Sequence, residues 1–590
     1  MLPKGFFRCR LATAGLSVVF ACSAFGATAG TSPVGSTNVT VADPTVPRPP
    51  VTPCVVQLFA DVTFTDFNPR PYDYTPPAGC GTHWSKVVLE ADFSVTAGRQ
   101  FDRTATLWLR GVNLYFGTTQ EPSATVAPSW HVERDLTDYS ALLRQAGNGQ
   151  AVIGNIVDST YTGVIAGSAR LLFYPLSART PAATVPDAVY PLGSDPVGNT
   201  TALNDSGSQL VKTLSLPRNV ERAYLDVFVQ SQNADEFWYT CVPDQYAAET
   251  DECGGGNFRE AEISIDGQPA GVAPVYPWIY TGGIDPYLWR PTPGVQTLNF
   301  MPYRVDLTPF AGVLSNGATH QVAVSVAGAN NYFSATASLL VYLDAHAKQV
   351  TGQIERNTLV GQPPTPMISS TLATDASGNV AGKINTDLKR HFIIQGYANT
   401  SRGRVRTTVE QTVSFADTQD FTINPTTYRQ VSDQLTTVEG VSQRSIAGFA
   451  LGEFQQSLRY PLHVVYSQLT AADGSVTAAT TVHQDYAQRS AHQLIGIPLY
   501  SAKVNNTVDS ADTLDFDASG NVTGHTGQQS AQTFAFEDSL GGCYRSDVAT
   551  TSGAVTSYDS GKGCPDHANR VYWFTHPDGS PDTSNIMLGW

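Results

Sequence analysis

The 590-residue sequence predicts an all-β chain: two tandem antiparallel jelly-roll-type β-sandwiches followed by a further β-rich C-terminal domain. Three observations carry this prediction. Segments such as 87–95, 104–116, 224–230 and 321–326 alternate apolar with polar residues, the period of a half-buried strand, and no long helical periodicity competes. The chain has 50 glycines and 37 prolines but only 15% charged residues, which suits turns between strands and excludes coiled coils, charged bundles and disordered tails. Third, a set of landmarks occurs twice in the same order.

Thr106-Leu107-Trp108-Leu109-Arg110-Gly111 matches Glu262-Ile263-Ser264-Ile265-Asp266-Gly267. Asp135-Leu136-Thr137-Asp138-Tyr139 matches Asp306-Leu307-Thr308-Pro309-Phe310, and Leu171-Leu172-Phe173-Tyr174 matches Leu339-Leu340-Val341-Tyr342. The last two landmarks lie 36 residues apart in the first copy and 33 in the second, so each copy reads as one sandwich.

In chain order, Lys4, Arg8 and Arg10 precede an apolar run at 11–25 and the small-residue site Ala24-Phe25-Gly26-Ala27, the pattern of a secretory signal over 1–26. Residues 27–53 are rich in Pro, Thr and Ser and read as an extended leader; 54–190 and 191–345 are the two sandwiches. Residues 346–590 remain strand-like, as at 391–394, 404–415, 458–466 and 513–516, and read as a third β domain or a pair of small sandwiches. No segment after the signal has 18 consecutive apolar residues, so no membrane span is expected there. Six cysteines follow the signal in three close pairs, Cys54/Cys80, Cys241/Cys253 and Cys543/Cys564, which favours local disulfides in an oxidising compartment and a secreted or periplasmic location. The net charge of −16 without a basic run excludes nucleic-acid binding.

Candidate chemistry clusters between the landmarks, where the loops of a sandwich gather. Gly98-Arg99-Gln100-Phe101-Asp102-Arg103 enters a strand, and its counterpart is Asn257-Phe258-Arg259-Glu260. In each, an Arg beside a carboxylate is either a strand-tying pair or part of a site. Asp235-Glu236-Phe237-Trp238-Tyr239 sets two acids before three aromatics; Trp278-Ile279-Tyr280-Thr281-Gly282-Gly283 leads to Leu288-Trp289-Arg290-Pro291; Glu121 sits in the turn Thr119-Gln120-Glu121-Pro122. These aromatics suit either sugar stacking or core packing. G-x-S-x-G, H-E-x-x-H and metal-ligand spacings are missing, and the scattered His391, His463, His483 and His492 do not form a ligand set. The expectation is carboxylate chemistry with no metal and no cofactor.

Together these segments resemble the peptide:N-glycosidase A family. The resemblance runs from Val87-Val88-Leu89-Glu90 through Arg99–Arg103, Leu107-Trp108-Leu109 and Glu121-Pro122 to Asp235–Tyr239, Phe258-Arg259-Glu260 and Ile279–Pro291, and more weakly to Lys389-Arg390, Arg404 and Cys543-Tyr544-Arg545. It implies a metal-independent amidase that hydrolyses the bond between the innermost N-acetylglucosamine and Asn of N-linked glycopeptides and glycoproteins, leaving a glycosylamine and Asp. Under that resemblance Asp102 is the principal acid/base, with Glu260 and Glu236 as partner candidates and Glu121 as a further one. Arg103 and Arg259 orient carboxylates, and Asp235, Trp238, Trp278, Tyr280, Trp289 and Arg290 bind substrate. A glycoside hydrolase acting within the N-glycan core, or a non-catalytic carbohydrate-binding protein, would use the same residue types.

Overall fold

The computed structural model describes residues 39–581; the expected signal segment and the leader up to residue 38 lie outside them. The alternating segments form strands, and the two halves of the first 345 residues wind theirs in one order. In the first sandwich, Cys54–Phe64, Ile165–Pro175, Trp84–Val95 and Ser129–Asp135 lie side by side in one sheet, and Arg70–Tyr74, Gly147–Ile153, Thr104–Leu109 and Val112–Thr118 in the other. In the second, Thr201–Leu203, Phe333–Leu343, Val220–Ser231 and Tyr303–Asp306 form one sheet, and Leu210–Ser215, Thr319–Ala327, Glu260–Ile265 and Gln268–Pro274 the other. Each is an antiparallel jelly roll, and every landmark pair occupies equivalent strands. The short helices Ser140–Leu143 and Ala311–Leu314 are equivalent as well. Strand Ala188–Pro191, which straddles the expected boundary at 190, pairs with Phe333–Leu343 of the second sandwich.

The remaining strands form one twelve-stranded antiparallel sheet in place of the pair of small sandwiches considered above. Its central strands are long, with 22 residues in Gly403–Asn424 and in Phe449–Thr470. Tight reversals explain this. Ala447-Gly448 (φ 49° and 84°) and Ile495-Gly496 (φ 51° and 74°) turn the chain within two residues, so each strand re-pairs with its predecessor before it can cross to a second layer.

Over the stretches that face the second sandwich every second residue of these strands is buried, as at Leu458, Tyr460, Leu462, Val464 and Tyr466, and Phe392, Phe415, Tyr460 and Val482 share a core with Phe228, Trp289, Phe310 and Leu339. The inward face also carries amides that bind loop carbonyls of the second sandwich. Gln430 donates to Thr240 (2.8 Å) and Gln484 to Pro277 (2.7 Å). The first sandwich keeps its own core around Trp84, Phe93, Leu107, Tyr115 and Phe173.

The three cysteine pairs form Cys54–Cys80, Cys241–Cys253 and Cys543–Cys564. The second of these closes the loop that follows Glu236. The described part of the leader is extended and tied down, with Ala42 N–H donating to Gln532 (2.7 Å) and Arg48 bridging Glu90 and Glu133 (both 2.7 Å). Among the described residues no helix is long and apolar enough to cross a membrane.

Candidate active site

Two loops of the second sandwich meet the hairpin Thr104–Leu109/Val112–Thr118 of the first, and the carboxyls converge there. Asp102 stands just before the first hairpin strand, and Glu121 follows the second. Their proximity follows from the hairpin: Arg103 N–H donates to Thr119 Oγ1 (2.9 Å), Thr119 N–H to the Arg103 carbonyl (2.9 Å), and Asp102 N–H to Glu121 Oε1 (3.3 Å).

The loop at 276–300 crosses this hairpin. Thr281 Oγ1 donates to the Thr119 carbonyl (2.7 Å), Gln120 Nε2 to that of Trp289 (2.9 Å), and Phe300 N–H to that of Phe116 (2.8 Å). It lays Gly282 directly on the two acids, with its N–H facing the Asp102 carboxyl, and brings Arg290 Nη2 to Glu121 Oε2 (3.0 Å). The other loop supplies Glu236 from between the 3₁₀ turns Asn233–Asp235 and Trp238–Thr240.

Electrostatics separate the three acids. Burial pushes Asp102 up to about 6, while Arg103 and the Gly282 N–H pull it back. Burial, then the charge of Asp102, pushes Glu121 up to about 8 against the opposing pull of Arg290. Burial, then Asp102 and Glu121, pushes Glu236 up to about 8 as well. Between about pH 6 and 8 the cluster therefore holds one carboxylate and two carboxylic acids, an acceptor and donors within one site. Arg103 turns to Gln100 Oε1 (2.9 Å), and the buried Nε atoms of Arg103 and Arg290 have no acceptor among the described residues.

Not every expected residue joins this cluster. Glu260 binds Arg390 of the long sheet, which also reaches Glu262 (2.6 Å) and the Gln362 carbonyl (2.7 Å), so this acid fastens the second sandwich to the sheet. Arg259 and Asp235 pair at 2.7 Å in the interior, where Asp235 Oδ2 also accepts the N–H groups of Asn330 (3.0 Å), Asn331 (2.7 Å) and Tyr332 (2.9 Å). Both are interior groups, Asp235 fully buried and Arg259 3% exposed, placed out of reach of a substrate.

The expected stacking aromatics are core residues. Trp289 is fully buried and donates to the Gly283 carbonyl (2.8 Å), Trp278 stacks on Phe300 (4.1 Å), Tyr280 donates to the Ser231 carbonyl (2.5 Å), and Trp238 lies over Arg259 (5.9 Å). Spacing alone does not separate a core aromatic from a surface one, because both need only an apolar face. The rings that reach the surface beside Asp102 are instead Phe101, 45% exposed, and the half-buried Tyr161, 5.4 Å apart, with Arg99 5.3 Å from the Tyr161 ring. Tyr161 sits in an irregular loop with no periodic signal, so the sequence did not mark it.

Gly282 yields a direct prediction. A Cβ there would stand 2.7 Å from Asp102 Oδ1 and closer still to Glu121, so Gly282→Ala must move the carboxyls or the loop. The expected outcome is about a 100-fold loss of kcat/KM with an unchanged circular dichroism spectrum, because small misplacements in a site cost that much.

Fold and site define a double-jelly-roll protein with a carboxyl cluster where its two sandwiches meet. The model of the family described as peptide N-acetyl-beta-D-glucosaminyl asparaginase amidase A matches residues 45–359. The chain belongs to that family. It is 31% identical over 356 residues to peptide-N4-(N-acetyl-beta-glucosaminyl)asparagine amidase A of Prunus dulcis, an alignment covering 57% of this chain and 60% of that relative. Among solved structures, PNGase F, a glycosylasparaginase from Flavobacterium meningosepticum, is matched at TM-score 0.34 and 15% identity over 50% of this chain and 96% of that one. PNGF-II is matched at TM-score 0.34 and 12% identity over 50% and 66%. Likenesses at such scores decide nothing further about this chain.

Proposed function

We propose that this chain is a glycopeptide amidase that hydrolyses the amide between the innermost N-acetylglucosamine of an N-linked glycan and Asn, by carboxyl acid/base chemistry. One observation carries the reading: in a chain of the amidase A family, three acids from separate segments converge with their protonation states held apart.

Asp102, ionised above about 6, takes a proton from a water whose oxygen attacks the amide carbonyl carbon. The C–N bond breaks as Glu236, protonated below about 8, gives its proton to the departing nitrogen. The products are a glycosylamine and Asp. Glu121, held by Arg290 and pushed up beside Asp102, keeps a second proton in the cluster. The half-buried guanidinium groups of Arg103 and Arg290 serve the developing oxyanion or a sugar oxygen. Phe101 and Tyr161 form the sugar-facing aromatic surface in place of the buried tryptophans. The signal pattern and the three disulfides support action outside the cytoplasm.

The test is mass spectrometry of a defined N-glycopeptide after incubation at a pH between the two values. The expected product is the free peptide with Asp where Asn stood. A peptide retaining one N-acetylglucosamine would mean cleavage between sugars, and an intact glycopeptide would mean binding alone; either result defeats the amidase reading.

A further inference from the structure

The loop at 276–300 brings Gly282 and Arg290 to the carboxyls, and its outer side rests on the long sheet. Four side chains from the neighbouring strands Ile497–Phe516 and Val522–Asp538 meet it there. Ser510 Oγ donates to the Leu288 carbonyl (2.6 Å), and Gln528 Nε2 donates to the Arg290 carbonyl (3.1 Å). The His525 ring stacks on Tyr287 with centroids 3.9 Å apart and planes 17° from parallel, while Arg290 lies 5.6 Å from the Tyr287 ring centre. The Asp512 carboxyl faces that of Asp285 and stands 3.3 Å from His525 Nδ1. Asp285 in turn accepts the Tyr287 N–H (2.9 Å) and so caps the turn Pro286–Trp289 that ends at Arg290. All four sheet residues lie beyond residue 359, where the family match ends.

Asp285 and Asp512 are each 2% exposed, and Asp512 Oδ2 has no hydrogen-bond partner among the described residues other than a proton it could share with Asp285. A hydrogen bond between carboxyls exists only while one proton is shared, and two charges in that space would repel. The groups facing Asp285 are Asp512, Arg290 and the Tyr287 N–H, with Tyr466 nearby; those facing Asp512 are Asp285, His525, Asp515 and the Thr513 N–H. Burial, then the charge of Asp512, raises Asp285 to about 8, and burial raises Asp512 to about 7 against the opposing pull of Asp285 and the Thr513 N–H. Burial pushes His525 down, outweighing the opposing pull of Asp285, and the cation of Arg290 adds to the fall, so the ring does not supply a compensating charge at neutral pH.

We propose that Asp512, His525, Ser510 and Gln528 are positioning residues that, through Asp285 and Tyr287, latch the loop to the long sheet and hold Arg290 on Glu121. The sheet is thus a working part of the site, and the latch is closed while Asp285 and Asp512 share a proton and loosens when both ionise. The kinetic arm of the test rests on the amidase reading; an exchange arm does not.

Full-length protein is assayed on an N-glycopeptide, and amide hydrogen exchange is followed in residues 285–292. Asp512→Ala is expected to lower kcat/KM by up to about 100-fold and to speed exchange in that segment at pH 6, and Asp512→Asn, whose amide donates without titrating, to restore both. In the wild type, protection of the segment falls as pH rises through 7 to 8 beyond the intrinsic rate increase; in Asp512→Asn it does not. Added to Arg290→Ala, Asp512→Ala changes kcat/KM little, because it acts through Arg290. Should Asp512→Ala fail to fold, His525→Ala with Gln528→Ala at the same contact carries the same expectations. Wild-type kinetics and protection in these variants overturn the latch, as does an equal loss of rate with and without Arg290. A wild type that releases no glycan, yet loses protection on Asp512→Ala and regains it on Asp512→Asn, upholds the latch and defeats the amidase reading.

Discussion

Asp102→Asn lowers kcat for glycan release by about 10²–10⁴-fold, the range for removing a general base, while leaving the fold intact. The substitution is nearly isosteric, and an amide oxygen still faces the Gly282 N–H, so the loop above it stays in place. What disappears is the only acid of the three that ionises near pH 6. The pH profile shows the same loss. In the wild type the rate rises as Asp102 ionises through about 6 and falls as Glu236 loses its proton through about 8. Asp102→Asn removes the acidic limb. It also removes the charge that raises Glu121 and Glu236, so their titration moves down toward the ordinary range. Unchanged kcat in a correctly folded Asp102→Asn protein would exclude Asp102 as the base.

Asp235→Ala destabilises the protein by about 3–5 kcal/mol in urea denaturation, the cost of breaking a buried ion pair from one side. The carboxylate accepts Arg259 (2.7 Å) and three consecutive backbone N–H groups, at Asn330, Asn331 and Tyr332. Alanine leaves those donors buried without an acceptor and Arg259 as an uncompensated cation, though Nη1 still reaches the carbonyls of Gly256 (3.0 Å) and Phe258 (2.9 Å). Asp235→Asn keeps the shape and an acceptor and should cost less. Because Asp235 immediately precedes Glu236, the alanine variant also loosens an acid of the site, and kcat falls with stability. A loss below about 1 kcal/mol, the value of an exposed pair, would contradict this account.

Several parts of the site were legible in the sequence for identifiable reasons. The landmark pairs are local strand-and-turn patterns, so they fell in equivalent strands of the two sandwiches. Asp102 and Glu121 were legible as acids at strand ends, and Gly282 as a point of close backbone approach. Glu260 was not distinguishable from them, because its partner Arg390 lies 130 residues away on another sheet. The aromatic segments raised the same difficulty. Trp278, Tyr280 and Trp289 are spaced like a sugar-binding surface but pack inward, whereas the pair that reaches the surface is Phe101 and the half-buried Tyr161, which are 60 residues apart in sequence. The long sheet was legible as strands but not as a single layer.

By itself the sequence determined the β class, the duplication, the local disulfide pairs and the segments from which the acids come, because alternation, turn chemistry and cysteine spacing act over a few tens of residues. Only the tertiary structure decided which acids meet. Ionisation depends on burial and on charges a few ångströms away in space, and those are contributed by loops and strands remote in the chain. That is why Asp102, Glu121 and Glu236 meet in the candidate site, Glu260 and Asp235 tie the framework together, and the far edge of the long sheet reaches Arg290.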